Sequence, residues 1–168
     1  DHVGIFGHSG GGFMSTAALL TYPDFYDVAS SSAGNHDNNI YNKWWSETHN
    51  GVEAVYKKKK DDDGNEVEEL TWNAKIKTNQ SLAENLKGHL LLTHGNIDNN
   101  VHPTNSLRVA DELIKAGKRF DMMIFPGKRH GYGSFRSYYE KMMWYYFAEH
   151  LLGDYRNNVD ISLPESGK

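Results

Sequence analysis

Cysteine is absent from the 168 residues. Its absence removes disulfides, zinc–thiolate sites and thiol catalysis together, and leaves the compartment open. No stretch approaches the roughly 18 consecutive apolar residues of a membrane-spanning helix. No charge of one sign dominates either. Lys and Arg total 18 against 22 Asp and Glu, a formal net charge of -4. A weakly acidic chain has no general attraction for nucleic acid or anionic lipid, so neither is expected as a partner. What is present suits a globular core. Aromatic residues make up 12% of the chain, and its length fits one domain but not two large ones.

Strand and helix patterns alternate along the chain. Residues 2–8 (HVGIFGH) are short, apolar and bounded by glycine, and predict a buried strand. Residues 13–20 (FMSTAALL) predict a buried helix ending near Pro23, and residues 25–31 a second strand. Residues 40–47, with Tyr41, Trp44 and Trp45, suggest a short helix. Residues 78–86 predict a helix capped by Thr78 or Asn79, and residues 90–93 the clearest strand. A helix should follow Pro103, with Val109, Leu113 and Ile114 as its apolar stripe and Gly117 as its end. Residues 120–125 (FDMMIF) predict another strand, and residues 135–152 a long aromatic helix closed by Gly153. This alternation favours an α/β class with a mostly parallel sheet and flanking helices.

Residues 52–72 differ in character. A run of four lysines, Lys57 to Lys60, meets Asp61 to Asp63, a Gly64–Asn65 turn signal and then Glu66, Glu68 and Glu69. The segment is either a charged hairpin, with lysines facing glutamates, or a surface loop. The adjoining acids neutralise the lysines, which argues against a nucleic-acid patch. The acidic run places its glycine too early for a calcium-binding EF-hand loop. Nine histidines invite a metal site. However, the glycine and proline around His94, Asp98 and His102 argue against one ligating helix face, so neither a metal nor another cofactor is expected.

Gly7-His8-Ser9-Gly10-Gly11 matches G-x-S-x-G. A glycine-rich chain can match three fixed positions by chance, so context decides. An apolar strand enters the motif and an Ala/Leu helix leaves it, as in a turn that presents a nucleophilic serine. The same run also suits a glycine-rich turn with a bystander serine, or a helix N-terminus holding phosphate. It is not G-x-G-x-x-G, and no lysine stands where a Walker loop needs one. A serine nucleophile needs a base, and the base an orienting carboxylate, in the chain order Ser, Asp/Glu, His. Both partners should sit in loops just past the C-terminal ends of strands. Asp98 follows the LLLT strand and His130 the FDMMIF strand. Ser9, Asp98 and His130 are therefore the candidate catalytic triad.

The blocks GHSGGG, HGNIDNNVHP and RHGYG closely resemble the catalytic blocks of the prolyl oligopeptidase family of serine peptidases, and within it the dipeptidyl peptidase IV-like branch. The resemblance runs from Val3 to about Leu152 and treats residues 52–72 as an insertion. It implies a partial α/β-hydrolase fold over residues 1–152, with residues 153–168 a polar tail. It further implies an oxyanion contact from the Gly10 N–H, a substrate contact from Asn100, and pocket walls from Tyr41, Trp45 and Val101. Gly10 and Trp45 both stand where the branch carries Tyr. The implied activity is release of N-terminal dipeptides after proline or alanine through an acyl-enzyme. A relative acting on acyl-peptides, oligopeptides or esters, and a non-catalytic interaction domain on the same fold, are the alternatives. Few residues precede the nucleophile strand, so the chain is expected to be the C-terminal part of its domain. Upstream strands, a second oxyanion donor and a β-propeller partner would lie outside it, and the isolated piece would be inactive. An exposed strand edge and the broad aromatic face of the last helix suggest a homo-oligomer. The branch further implies an extracytoplasmic location, periplasmic or secreted.

Overall fold

The computed structural model describes residues 2–73, 76–156 and 160–161. The chain divides into two compact units, residues 1–36 with 79–168, and residues 37–78.

The first unit is built on a parallel sheet. Its strands are β1 (Gly4–His8), β2 (Val28–Ser32), β5 (His89–Gly95) and β6 (Asp121–Phe125), in the order β1-β2-β5-β6. All three pairings are parallel, with Ile5 opposite Ala29, Ala29 opposite Leu90, and Leu91 opposite Asp121. A parallel sheet needs cover on both faces, and the alternation along β5 reflects this. Leu90 and Leu92 join Leu19 and Leu20 of α1 (Gly10–Thr21) and Val109 and Leu113 of α3 (Thr104–Lys115) in one core. Phe125, Tyr132, Tyr139 and Met143 form a second core around α4 (Arg136–Leu152). The chain is thus α/β, consistent with a partial α/β-hydrolase domain.

Three expectations are refined. Residues 79–85 form a 3-10 helix, not an α-helix. There the Asn79 side chain donates to the Phe13 carbonyl and meets His36 Nδ1, and Asn85 donates to the Leu20 carbonyl, so the segment is held from outside. On α3, Val109 and Leu113 are fully buried, whereas Ile114 is 67% exposed. One position past Leu113 the helix has turned about 100° away from the core. Along β1, Phe6 is 63% exposed, and among the described residues β2 is the only strand paired with β1.

The second unit holds α2 (Lys43–Asn50) and an antiparallel hairpin of β3 (Glu53–Lys60) and β4 (Glu66–Asn73). Asn42 caps α2 by accepting from the Trp45 amide. In the hairpin Lys57 faces Glu69, Lys58 faces Glu68 and Lys60 faces Glu66. Lys59 bridges diagonally to Glu69 at 3.0 Å. Asp61 Oδ1 closes the turn by accepting from the Asp63 and Asn65 amides. The Lys59–Glu69 pair and the Lys58–Glu66 pair, 3.5 Å apart, are exposed, and pairs of this kind typically contribute less than about 1 kcal/mol each. The remaining residues of the polar tail, 157–159 and 162–168, lie outside the described residues, as do 74 and 75.

Candidate active site

Ser9 stands between β1 and α1, with φ 58° and ψ -121°. That backbone is unfavourable for any residue with a Cβ and is tolerated where surrounding structure enforces it. Here the enforcement is explicit. The Ser9 amide donates to the Ser32 carbonyl on β2 at 2.8 Å, and the Ser9 carbonyl accepts from the Phe13 amide at 3.0 Å. The glycines explain how strand and helix approach so closely. A Cβ on Gly7 would lie 2.3 Å from the Gly11 backbone, and one on Gly12 would lie 2.6 Å from the Ser32 carbonyl oxygen. Gly11 itself has open space where its Cβ would be. The tight packing therefore falls on Gly7 and Gly12, and Gly11 matters as the backbone that Gly7 touches.

Gly10 is the first residue of α1. Its amide is among the helix-opening N–H groups that have no acceptor inside the helix. It is a donor at the positive end of the helix dipole, beside the Ser9 side chain.

Asp98 is held in the loop after β5. One carboxylate oxygen, Oδ1, accepts from the amides of Asn100 (2.9 Å) and Val101 (3.1 Å). The other, Oδ2, lies 2.7 Å from His130 Nδ1. The Asp98 side chain is fully buried and that of His130 is 22% exposed. The β5 and His130 loops come together because Gly95 permits it: a Cβ there would sit 2.3 Å from the Lys128 carbonyl oxygen. With its Nδ1 engaged by a carboxylate, His130 is directed to keep its proton on Nδ1 and leave Nε2 as a base.

The His130 ring packs against His8, the residue before Ser9, at 4.6 Å between centroids. Among the described residues Ser9 Oγ makes no hydrogen bond, to His130 or to any other group. Such bonds commonly tighten only with substrate in place.

Two further histidines surround the acid. His94 is fully buried, its Nε2 2.8 Å from the Val101 carbonyl oxygen and 3.3 Å from Asp98 Oδ2, its Nδ1 2.8 Å from Ser106 Oγ. Burial pushes its pKa down, against the opposing pull of the Val101 carbonyl and of Asp98. Burial thus disfavours the charged form of the His94 ring beside Asp98. His8 is pushed down to about 4, first by burial and then by the facing His130. G-x-S-x-G leaves the His8 position free, and His94 stands out in the sequence as a candidate metal ligand and as the start of the HGNIDNNVHP block. Among the described residues no cluster of His, Asp and Glu is arranged to hold a metal ion.

The remaining candidates are placed as follows. Asn100 is exposed, next to the Asp98 turn. Val101 is fully buried; its backbone serves both Asp98 and His94. Tyr41 and Trp45 belong to the second unit, where their rings meet edge to face at 5.7 Å and Trp45 stacks on His49 at 4.1 Å.

The sequence profile of the Prolyl oligopeptidase family matches residues 1–154. The chain belongs to the prolyl oligopeptidase family. Among its relatives in that family, dipeptidyl peptidase 8 of Mus musculus is 30% identical over 153 residues, covering 90% of this chain and 16% of the relative. Dipeptidyl peptidase 4 of Arthroderma otae is 31% identical over 134 residues, covering 78% of this chain and 16% of the relative. The chain thus spans about a sixth of the length of these curated relatives. The crystal structure of Porphyromonas gingivalis dipeptidyl peptidase 4 shares the fold, with TM-score 0.65 and 24% identity over 86% of this chain and 19% of that one.

Proposed function

We propose that this chain carries the catalytic residues of a serine peptidase that releases N-terminal dipeptides. The observation that carries the reading is the juxtaposition of a strained serine turn with an Asp98–His130 pair, 2.7 Å apart, whose carboxylate is buried and whose imidazole packs on the residue before Ser9. In this reading Ser9 Oγ attacks the scissile carbonyl carbon as its proton passes to His130 Nε2. The Gly10 N–H receives the negative charge developing on the carbonyl oxygen. Asp98 keeps the His130 ring oriented and stabilises the imidazolium. His130 then gives its proton to the leaving amine, the C–N bond breaks, and the acyl-enzyme remains. Water, deprotonated by His130, attacks that ester, and the released Ser9 oxygen recovers its proton.

The names of the relatives support dipeptides as the product. Asn100, exposed beside the Asp98 turn, would contact the substrate near its N-terminus. The second oxyanion donor and the anchor for the substrate amine would come from outside these residues, so the activity belongs to the longer protein. Loss of an oxyanion donor costs on the order of 10² to 10³ in rate, so these 168 residues alone should be nearly inactive.

A panel of chromogenic Gly-Pro, Ala-Ala and acyl-capped substrates, offered to the longer protein, tests the proposal. Turnover of the first two with a free amine, lost in Ser9→Ala, is expected. Preference for acyl-capped substrates would replace the dipeptidase reading with an acyl-peptidase one. No turnover of any substrate would favour a non-catalytic interaction domain.

A further inference from the structure

The proposed chemistry uses Ser9, Asp98 and His130 and leaves a second set of polar side chains beneath them unexplained. His8 Nδ1 lies 2.8 Å from Ser32 Oγ, Ser32 Oγ 2.7 Å from the Tyr132 hydroxyl, and that hydroxyl 2.9 Å from Thr93 Oγ1. Ser32, Thr93 and Tyr132 have no exposed surface at all. The four residues come from four places: β1, β2, the loop after β6, and β5. Their positions are not incidental to the site. His8 precedes Ser9, Tyr132 is two residues beyond His130, and Thr93 lies on the strand that leads to Asp98.

The first two bonds of this chain have a fixed direction. The single hydroxyl proton of Ser32 goes to Tyr132, so Ser32 Oγ must accept from His8 Nδ1–H. The Tyr132 hydroxyl, having accepted from Ser32, shares its further bond with Thr93 Oγ1, where either hydroxyl can donate. Burial also raises the Tyr132 pKa, which keeps the phenol protonated. Bonds aligned in this way polarise one another. Tyr132 also holds a left-handed backbone, φ 61°, in which a bulky residue is rarely found. Its ring meets Phe125, Tyr139 and His8 at 4.6, 5.2 and 5.9 Å. A glycine would relieve the backbone but could neither fill that space nor supply the hydroxyl.

We propose that His8, Ser32, Tyr132 and Thr93 form a positioning network, which fixes the tautomer and orientation of the His8 ring and thereby the place of the His130 ring packed on it. The inference rests on the proposed serine-peptidase reading and concerns geometry, not a further proton transfer. The chain joins the strands that lead to Ser9 and Asp98 to the loop carrying His130, so its loss should displace one reactive group relative to the others.

The test compares the longer wild-type protein with Tyr132→Phe, Thr93→Val and Thr93→Ser. Each is treated with a fluorophosphonate, and the reversible binding constant is separated from the first-order rate of Ser9 phosphonylation. Ring-nitrogen NMR shifts of labelled histidine report the His8 tautomer. The rate should fall on the order of tenfold in Tyr132→Phe and Thr93→Val with binding unchanged, since small misplacements of reacting groups cost rate rather than affinity. Thr93→Ser, which keeps the hydroxyl, should restore it. In Tyr132→Phe the freed Ser32 hydroxyl should turn to donate to His8 Nδ1, moving the ring proton to Nε2. Unchanged phosphonylation in both hydroxyl-deleting variants would overturn the proposal, as would a loss that Thr93→Ser fails to restore. If Tyr132→Phe does not fold, the Thr93 pair decides. A wild-type Ser9 that takes no label refutes the proposed function instead, and the His8 tautomer then judges the network by itself.

Discussion

Replacing Asp98 by asparagine keeps the size of the side chain and removes its charge, and the surrounding bonds dictate which way the amide must turn. Oδ1 is fixed by two backbone donors, the amides of Asn100 and Val101. An NH₂ group cannot replace an oxygen there without leaving both donors facing another donor. The side-chain oxygen of the introduced asparagine must therefore stay at that position, and its NH₂ must point at His130 Nδ1, where Oδ2 now lies 2.7 Å away. The His130 ring can meet it only as an acceptor, which shifts its proton to Nε2. In that tautomer the nitrogen meant to take the Ser9 proton already holds one. The same turn puts the NH₂ against the His94 Nε2–H, now 3.3 Å from Oδ2. The wrong tautomer in a serine–histidine–carboxylate site costs on the order of 10⁴ in rate. The assay is the rate of fluorophosphonate labelling at Ser9 in the longer protein, with thermal unfolding to show that the variant is folded. A folded Asp98→Asn protein that labels as fast as wild type would refute the assignment of Asp98 as the residue that orients His130.

Three other outcomes follow from packing and burial. Gly7→Ala places a Cβ 2.3 Å from the Gly11 backbone and should destabilise by at least about 3 kcal/mol, while Gly11→Ala meets nothing within 4 Å and should be neutral or gain up to about 1 kcal/mol; equal denaturation midpoints for the two would contradict the packing described for this turn. Leu113→Ala should cost about 2 to 5 kcal/mol. Ile114→Ala, at a site 67% exposed, should stay within about 0.5 kcal/mol, and chemical denaturation separates them. His36 is fully buried, accepts at Nδ1 from the Asn79 side chain, and is pushed down to about 3 by burial. The folded form therefore stays neutral while the unfolded chain takes up a proton as pH falls below about 6.5. Stability is intact above that pH and should fall by up to about 1.4 kcal/mol per pH unit from there toward about pH 3. His8 acts in the same direction down to about pH 4. A urea midpoint that stays flat from about pH 7 to about 4 would show that neither ring is held neutral by the fold.

Local periodicity makes the α/β architecture visible, because β1, β5 and β6 lie near short apolar runs and α3 and α4 are followed by glycine. Residues 90–93 lie within β5, and Gly153 closes α4 with a left-handed backbone. β2 was harder to read. Its sequence is VASSS, yet all five residues are buried. Two of its three serines are sustained by distant partners, Ser31 by the Gly12 carbonyl and Ser32 by Tyr132, a hundred residues away. No window of sequence holds that information. For the same reason nothing in GHSGGG announces that His8 touches His130, or that Tyr132 in RHGYG reaches back to β2. The order Ser, Asp, His could be read because each residue follows a strand, which is a local signal. The side chains that hold them in place are long-range and polar, and only the fold brings them together.

The central claim is that Ser9 is a nucleophile activated by His130. Mass-spectrometric mapping of the longer protein after fluorophosphonate treatment tests it most directly. The account predicts one phosphonyl group, located on Ser9 and absent in Ser9→Ala and in His130→Ala. A folded protein that takes up no label, or takes it up undiminished in either variant, would contradict it.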